Sequence, residues 1–147
     1  MMSEDIGLTI TANPDLLCAV RGTVRGYVEQ FGFPSERVDE VVLAIDEACA
    51  NSIRHAYGGT CDRSYQLSMS SNNGWIVFQV RDDGKPAPKE SIQRKPKDGD
   101  APDLANIVPG GLGVQFIYGV FDSVEFNPGD HEGNLVTMKL KRPTTQD

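Results

Sequence analysis

Apolar and polar positions alternate in five stretches of this chain and recur at helical spacing in three others. Ile6, Leu8, Ile10 and Ala12 alternate with Gly7, Thr9 and Thr11, which predicts a half-buried strand over 6–12. Asn13 is placed to cap a helix with Pro14 at its first position. Leu16, Leu17, Val20, Val24, Tyr27, Val28 and Phe31 then recur on one helical face. Gly32 is the stop, and Gly22 and Gly26 weaken the interior. A longer helix starts at Ser35, after Pro34, and runs to Tyr57. Val38, Val41, Val42, Ile45, Cys49, Ile53 and Ala56 form its apolar face, and Gly58-Gly59 ends it. Tyr65, Leu67 and Met69 alternate with Gln66, Ser68 and Ser70. Asn72-Asn73-Gly74 is a turn, and residues 75–82 alternate again, so the two runs read as a hairpin.

Residues 85–110 break these periods. The segment holds Pro86, Pro88, Pro96, Pro102 and Pro109 around a charged middle. A loop this long in a compact domain is usually functional or disordered, and its place between two of the polar clusters below favours a lid. Val114, Phe116, Ile117, Val120 and Phe121 predict a short helix, and Val124 and Phe126 begin a strand. Asn127-Pro128-Gly129-Asp130 reads as a turn before a last strand with Val136, Met138 and Leu140. The polar tail after Pro143 is expected to fray. Cleanly alternating strands imply a sheet with one solvated face. Helices cover the other face, giving an α/β two-layer sandwich with a mixed, mainly antiparallel sheet.

Composition narrows the possibilities. The 147 residues suit one domain, 1–147, which buries roughly 70% of its unfolded surface. A net charge of −7 argues against a non-specific grip on nucleic acid or anionic membrane. Cys18, Cys49 and Cys61 are odd in number and lack C-x-x-C spacing, so packed, reduced thiols are expected. Cys49 and His55 lie six residues apart on one helix and point in different directions, against a Cys–His pair. The first residues hold no apolar run and no transmembrane stretch follows, so the cytoplasm is the default expectation.

Three polar clusters carry the chemistry. On the long helix, Glu47, Asn51 and Arg54 share a stripe opposite the apolar face. Helix geometry alone leaves that stripe as a solvated surface. In the strand over 75–82, Ile76, Phe78 and Val80 share one face and Asp82 continues it, whereas Asp83 points the other way. A carboxylate on an apolar face needs a partner. It is either a turn residue or an acceptor for a ligand amine such as that of adenine, with Gly84 letting the base approach the backbone. Gly110, Gly111 and Gly113 open the last helix, where backbone N–H groups can converge on phosphate. No G-x-x-x-x-G-K-[ST] sequence is present, nor the H-R-D and D-F-G signatures of the common protein kinases.

In order and placement, residues 46–57 (Asp46-Glu47-Ala48-Cys49-Ala50-Asn51-Ser52-Ile53-Arg54-His55-Ala56-Tyr57), Val80-Arg81-Asp82-Asp83-Gly84 and Gly110-Gly111-Leu112-Gly113-Val114 resemble the GHKL, or Bergerat-fold, ATPase superfamily. Within it, the chain is similar to the bacterial anti-sigma factor serine/threonine kinases over nearly its whole length. The resemblance implies the histidine-kinase-like ATPase fold with ATP and Mg²⁺ as cofactors. It implies Asn51 as the Mg²⁺ ligand, Glu47 as the general base for a substrate hydroxyl, and Asp82 with Gly84 as the adenine site. It places Gly110, Gly111 and Gly113 at the lid hinge and phosphate loop, and Arg54 and His55 on the phosphate side. The implied partners are a sigma factor, a STAS-type anti-sigma factor antagonist as phosphorylation substrate, and a second copy in a homodimer. Where the family has Gly followed by Thr in the last strand, the chain reads Gly133-Asn134-Leu135-Val136-Thr137; Gly133 fits, and Thr137 is not assigned to the pocket. Alternatives are a nucleotide-binding partner-switching module without catalysis, a sensor histidine kinase fragment, and an ATP-driven clamp of gyrase or chaperone type. The histidine kinase reading lacks a phosphoacceptor helix pair, and the clamp lacks room for a transducer domain.

Overall fold

The five alternating stretches form one five-stranded sheet with strand order β1-β2-β3-β5-β4. A computed structural model of the protein describes residues 4–58, 62–94, 111–129 and 133–144. The strands are β1 Ile6–Thr11, β2 Ser64–Ser71, β3 Trp75–Asp82, β4 Ser123–Pro128 and β5 Asn134–Lys141. Every neighbouring pair is antiparallel, as the mainly antiparallel expectation has it, and the parallel pair that a mixed sheet would add is absent among the described residues. The strand after β3 goes to the sheet edge, and β5 returns between β3 and β4, so no parallel pair arises.

Register decides which residues share the buried face. Leu67 pairs with Val80 and Met69 with Phe78; Phe78 in turn pairs with Met138 and Ile76 with Leu140. All of these are buried. Burying such a side chain contributes on the order of 1.5–3 kcal/mol each. The same register sets Asn134 opposite Asp82 at the end of that face.

Among the described residues the helices are α1 Leu17–Glu29, α2 Ser35–Asn51, the single turn α3 Lys89–Ile92 and α4 Gly111–Val120. Val20, Val24, Tyr27 and Val28 bury one face of α1, and Tyr27 meets Phe78 of β3 edge to face at 6.4 Å. Asn13 caps a 3-10 turn over Pro14–Leu16 by accepting from the Asp15 N–H at 3.0 Å, and α1 continues from it. Gly32 takes φ +85 between α1 and α2, as a helix stop requires. Arg21–Asp46 and Arg25–Asp39, both 2.8 Å, join α1 to α2. Arg37 of α2 donates to the Val120 carbonyl at 2.5 Å, tying the start of α2 to the end of α4.

Four local readings change. The helix expected to reach Tyr57 is α-helical only to Asn51 and then widens into a π turn over Ser52–Ala56. The Ser52 N–H is shared between the Ala48 and Cys49 carbonyls at that junction. The expected turn at residues 127–130 starts later, because β4 keeps pairing through Pro128 on the sheet edge, where proline is tolerated. Within residues 85–94, which break the sequence periods, Pro88 precedes the turn α3. Cys18, expected to be packed, lies exposed on α1, whereas Cys49 is buried. Residues 95–110, Cys61 and the tail from 145 lie outside the described residues. No helix among the described residues is long and apolar enough to cross a membrane.

Candidate functional site

Asp82 ends β3 on the apolar face and is only 8% exposed. Three donors offset the cost of burying its carboxylate. Ser52 Oγ donates to Oδ2 at 2.9 Å, and Oδ1 accepts from Asn134 Nδ2 at 2.8 Å and the Gly84 N–H at 3.1 Å. Oδ2 therefore keeps acceptor capacity for a further donor. Asp83, one residue on, points away to solvent. Arg63 meets its carboxylate at 2.7 Å, and the Tyr57 hydroxyl also lies 2.7 Å away. The Tyr57 hydrogen bond, with the Arg63 charge, holds the Asp83 carboxyl below its usual range. Alternation along β3 thus separates a buried acceptor from an exposed ion pair.

Glu47, Asn51 and Arg54 come together at the C-terminal end of α2. Arg54 Nη2 donates to Asn51 Oδ1 at 2.9 Å and stands 3.6 Å from Glu47 Oε2. Half-exposed Arg54 makes this a weak surface pair, free to exchange partners. Glu47 also lies against Gly113 in the first turn of α4: a Cβ built there would be 2.9 Å from its Cδ. The helix N-terminus favours a carboxylate at that spot. Gly111 is the first residue of α4. Gly110 and the His55 side chain lie outside the described residues.

Asn51, Ser52 and Asp82 face one cleft, with Val80, Val136 and Phe126 as apolar walls and Ala87 and Ile92 lining it from the segment after β3. Apolar walls with a few convergent polar groups suit a flat aromatic base. Gly84 is buried behind Asp82. Glu47, Arg54 and Gly113 stand just beyond this lining, although Val114, the next residue of α4, belongs to it. The cleft thus joins the adenine-side and Mg²⁺-side candidates and leaves the base candidate at its rim. Cys49 lies beneath the site, and burial pushes its thiol up to about 12, far from a nucleophilic thiolate near neutral pH.

Two residues in this constellation escape the sequence reading. Ser52 follows Asn51 and turns inward only at the π turn. Asn134 follows Gly133, where the resemblance places a threonine, and that position was its available signal. Thr137, left unassigned, pairs with Gln79 on the opposite sheet face and accepts from its Nε2 at 3.2 Å.

The chain matches the histidine kinase-like ATPase domain family over residues 10–140. It is 32% identical over 141 residues to the serine-protein kinase RsbW of Halalkalibacterium halodurans, covering 95% of this chain and 85% of that one. Among solved structures, the RsbU and RsbW domains of a Mycobacterium tuberculosis protein superpose with TM-score 0.63 at 15% identity, over 97% of this chain and 34% of that chain. The SiaB–SiaC complex structure from Pseudomonas aeruginosa gives TM-score 0.62 at 13% identity, over 93% of this chain and 89% of that chain. These two likenesses concern the fold. The family match makes this a histidine kinase-like ATPase domain, a class that uses ATP. The chain belongs to that family and, within it, to the RsbW serine-protein kinases. It is an ATP-dependent protein serine/threonine kinase.

Proposed function

We propose that the protein phosphorylates a serine or threonine of a STAS-type anti-sigma factor antagonist and, when that antagonist is unavailable, sequesters a sigma factor. The observation that supports this most is Glu47, held between Arg54 and Gly113 at the rim of the cleft that Asn51 and Asp82 share. There a carboxylate can take the proton of an incoming hydroxyl while nucleotide lies behind it. Asp82 Oδ2 accepts from the exocyclic amine of adenine, and Gly84 lets the base lie close to the backbone. Asn51 supplies one amide oxygen, which suits Mg²⁺, an ion that keeps waters and phosphate oxygens as its other ligands. The ion would supply neutralising charge for the phosphates. Arg54 exchanges Asn51 for a phosphate oxygen. Gly111 and Gly113 open α4, where backbone N–H groups can meet phosphate; Gly110 and the rest of 95–110, expected as hinge and lid, lie outside the described residues.

A phosphoryl group adds roughly −1.5 to −2 charge, which weakens the antagonist's grip and frees the kinase for the sigma factor. By family likeness the working unit is a cytoplasmic homodimer. Incubating the protein with labelled ATP, Mg²⁺ and the cognate antagonist tests the reading. Transfer by wild type that disappears in Glu47→Ala supports it. Undiminished transfer by Glu47→Ala removes Glu47 as the base. Partner exchange without any transfer favours a non-catalytic module.

A further inference from the structure

Asn134 uses its whole side-chain amide. Nδ2 donates to Asp82 Oδ1 and to the Lys85 carbonyl, both at 2.8 Å, and Oδ1 accepts from the Ala87 N–H at 2.7 Å. One side chain therefore holds both the buried carboxylate and the segment that leaves β3 along the cleft. We propose that Asn134 is a positioning residue that couples recognition of the nucleotide base to the order of residues 85–87. The proposal rests on the reading of Asp82 as the base acceptor.

Two consequences follow from the bonds. With Asn134 and Gly84 both donating to Oδ1, the Asp82 carboxylate cannot turn, and Oδ2 is the oxygen left with room for a base amine. On the other side, Pro86 and Pro88 carry no N–H, so Ala87 supplies the one backbone donor of residues 86–88. Asn134 takes it. Ala87 lines the cleft, so a carboxylate fixed by a bound base and a wall fixed by Asn134 are ordered through the same amide. A second tether, the Gly133 N–H to the Gly84 carbonyl at 2.7 Å, holds the strand ends together independently. Loss of the amide therefore loosens the wall without unpairing β5 from β3.

The test compares Asn134→Ala with Asn134→Thr in the full chain. A threonine hydroxyl can donate to Asp82 but has no second hydrogen for the Lys85 carbonyl, and its oxygen, one bond nearer the backbone than Asn134 Oδ1, falls short of the Ala87 N–H. ATP and GTP binding are measured by calorimetry, and amide exchange over residues 84–92 by mass spectrometry. In wild type, ATP binds in preference to GTP and slows exchange at Ala87. Asn134→Ala weakens ATP binding by about 10-fold or more, the scale for losing a hydrogen bond to a charged group, and Ala87 exchanges fast with or without ATP. Asn134→Thr recovers most of the ATP affinity while Ala87 stays fast. Asn134→Ala that binds ATP like wild type, or a protected Ala87 in either variant, overturns the proposal. Failure of the underlying reading looks different: wild type and Asp82→Asn then bind ATP equally, or neither binds. Apo melting temperatures show whether each variant is folded.

Discussion

Glu47 and Gly113 claim the same space. A Cβ at residue 113 would lie 2.9 Å from Cδ of Glu47, so the Glu47 carboxylate keeps its present place only because residue 113 has no side chain. In Gly113→Ala the intruding methyl meets the far end of a flexible side chain, which can swing aside at little cost in stability. Alanine also improves an α-helix by about 1 kcal/mol over glycine. The melting temperature should stay level or rise. Phosphoryl transfer should fall by roughly 100-fold, the scale on which moving a reacting group by about 1 Å acts. A variant that loses stability but keeps its transfer rate would show that the contact serves packing alone.

Much of this arrangement is legible in one dimension. Period-two alternation on β3 distinguishes Asp82 from Asp83, and the 3.6-residue period puts Glu47 beside Asn51. Both are local geometry. Ser52 and Asn134 are not legible in the same way. Ser52 turns toward Asp82 at the π turn, a change of pitch that the apolar pattern does not encode. Asn134 reaches Asp82 because β5 inserts between β3 and β4, and that order depends on packing across the whole sheet. The sequence pattern also stops β4 before Pro128, because an edge strand tolerates a residue that an interior strand would reject.

Nucleotide binding should separate the two ends of the cleft. ATP with Mg²⁺ at about 100 times its Kd stabilises the folded state by roughly 2.7 kcal/mol, visible as a rise in melting temperature. Asp82→Asn should lose the rise with or without Mg²⁺, since it removes the acceptor for the base. Asn51→Ala should lose only the Mg²⁺-dependent part. Equal shifts in all three proteins would mean that nucleotide binds somewhere other than this cleft.

Stability should fall on the alkaline side. Burial, as the largest cause, pushes the phenols of Tyr27 and Tyr57 up to about 12 from the usual value of 10.0. A group with a raised folded pKa gives its full contribution below the unfolded value and loses it as pH rises through the folded one. The buried Cys49 thiol, pushed up to about 12 from the usual 9.0, adds to the same loss, so denaturant midpoints should be level up to pH ~9 and decline toward pH ~12. Phenolate absorbance should rise at lower pH in denaturant than in the folded protein. Tyr57→Phe, which also removes the contact with Asp83, should make the decline shallower. The same slope in wild type and Tyr57→Phe would assign the alkaline loss to other groups.

Gly133 is the glycine whose replacement should reach both stability and site. Gly32 and Gly133 both hold positive φ, +85 and +91, and an L side chain in such a conformation costs about 1–2 kcal/mol. At Gly32 a new Cβ would meet nothing within 4 Å, whereas at Gly133 it would lie 3.2 Å from the Asp82 carbonyl oxygen. A backbone oxygen cannot rotate away, so overpacking adds about 1 kcal/mol or more at that position. Gly133→Ala should therefore be more destabilising in urea than Gly32→Ala. Strain at Gly133 also pulls on its N–H bond to the Gly84 carbonyl and displaces the backbone that carries Asp82, so ATP affinity should drop in Gly133→Ala and hold in Gly32→Ala. Equal losses of stability with unchanged ATP binding in both would show that the end of β3 adapts to the methyl and that the Gly133–Asp82 contact does not constrain the nucleotide site.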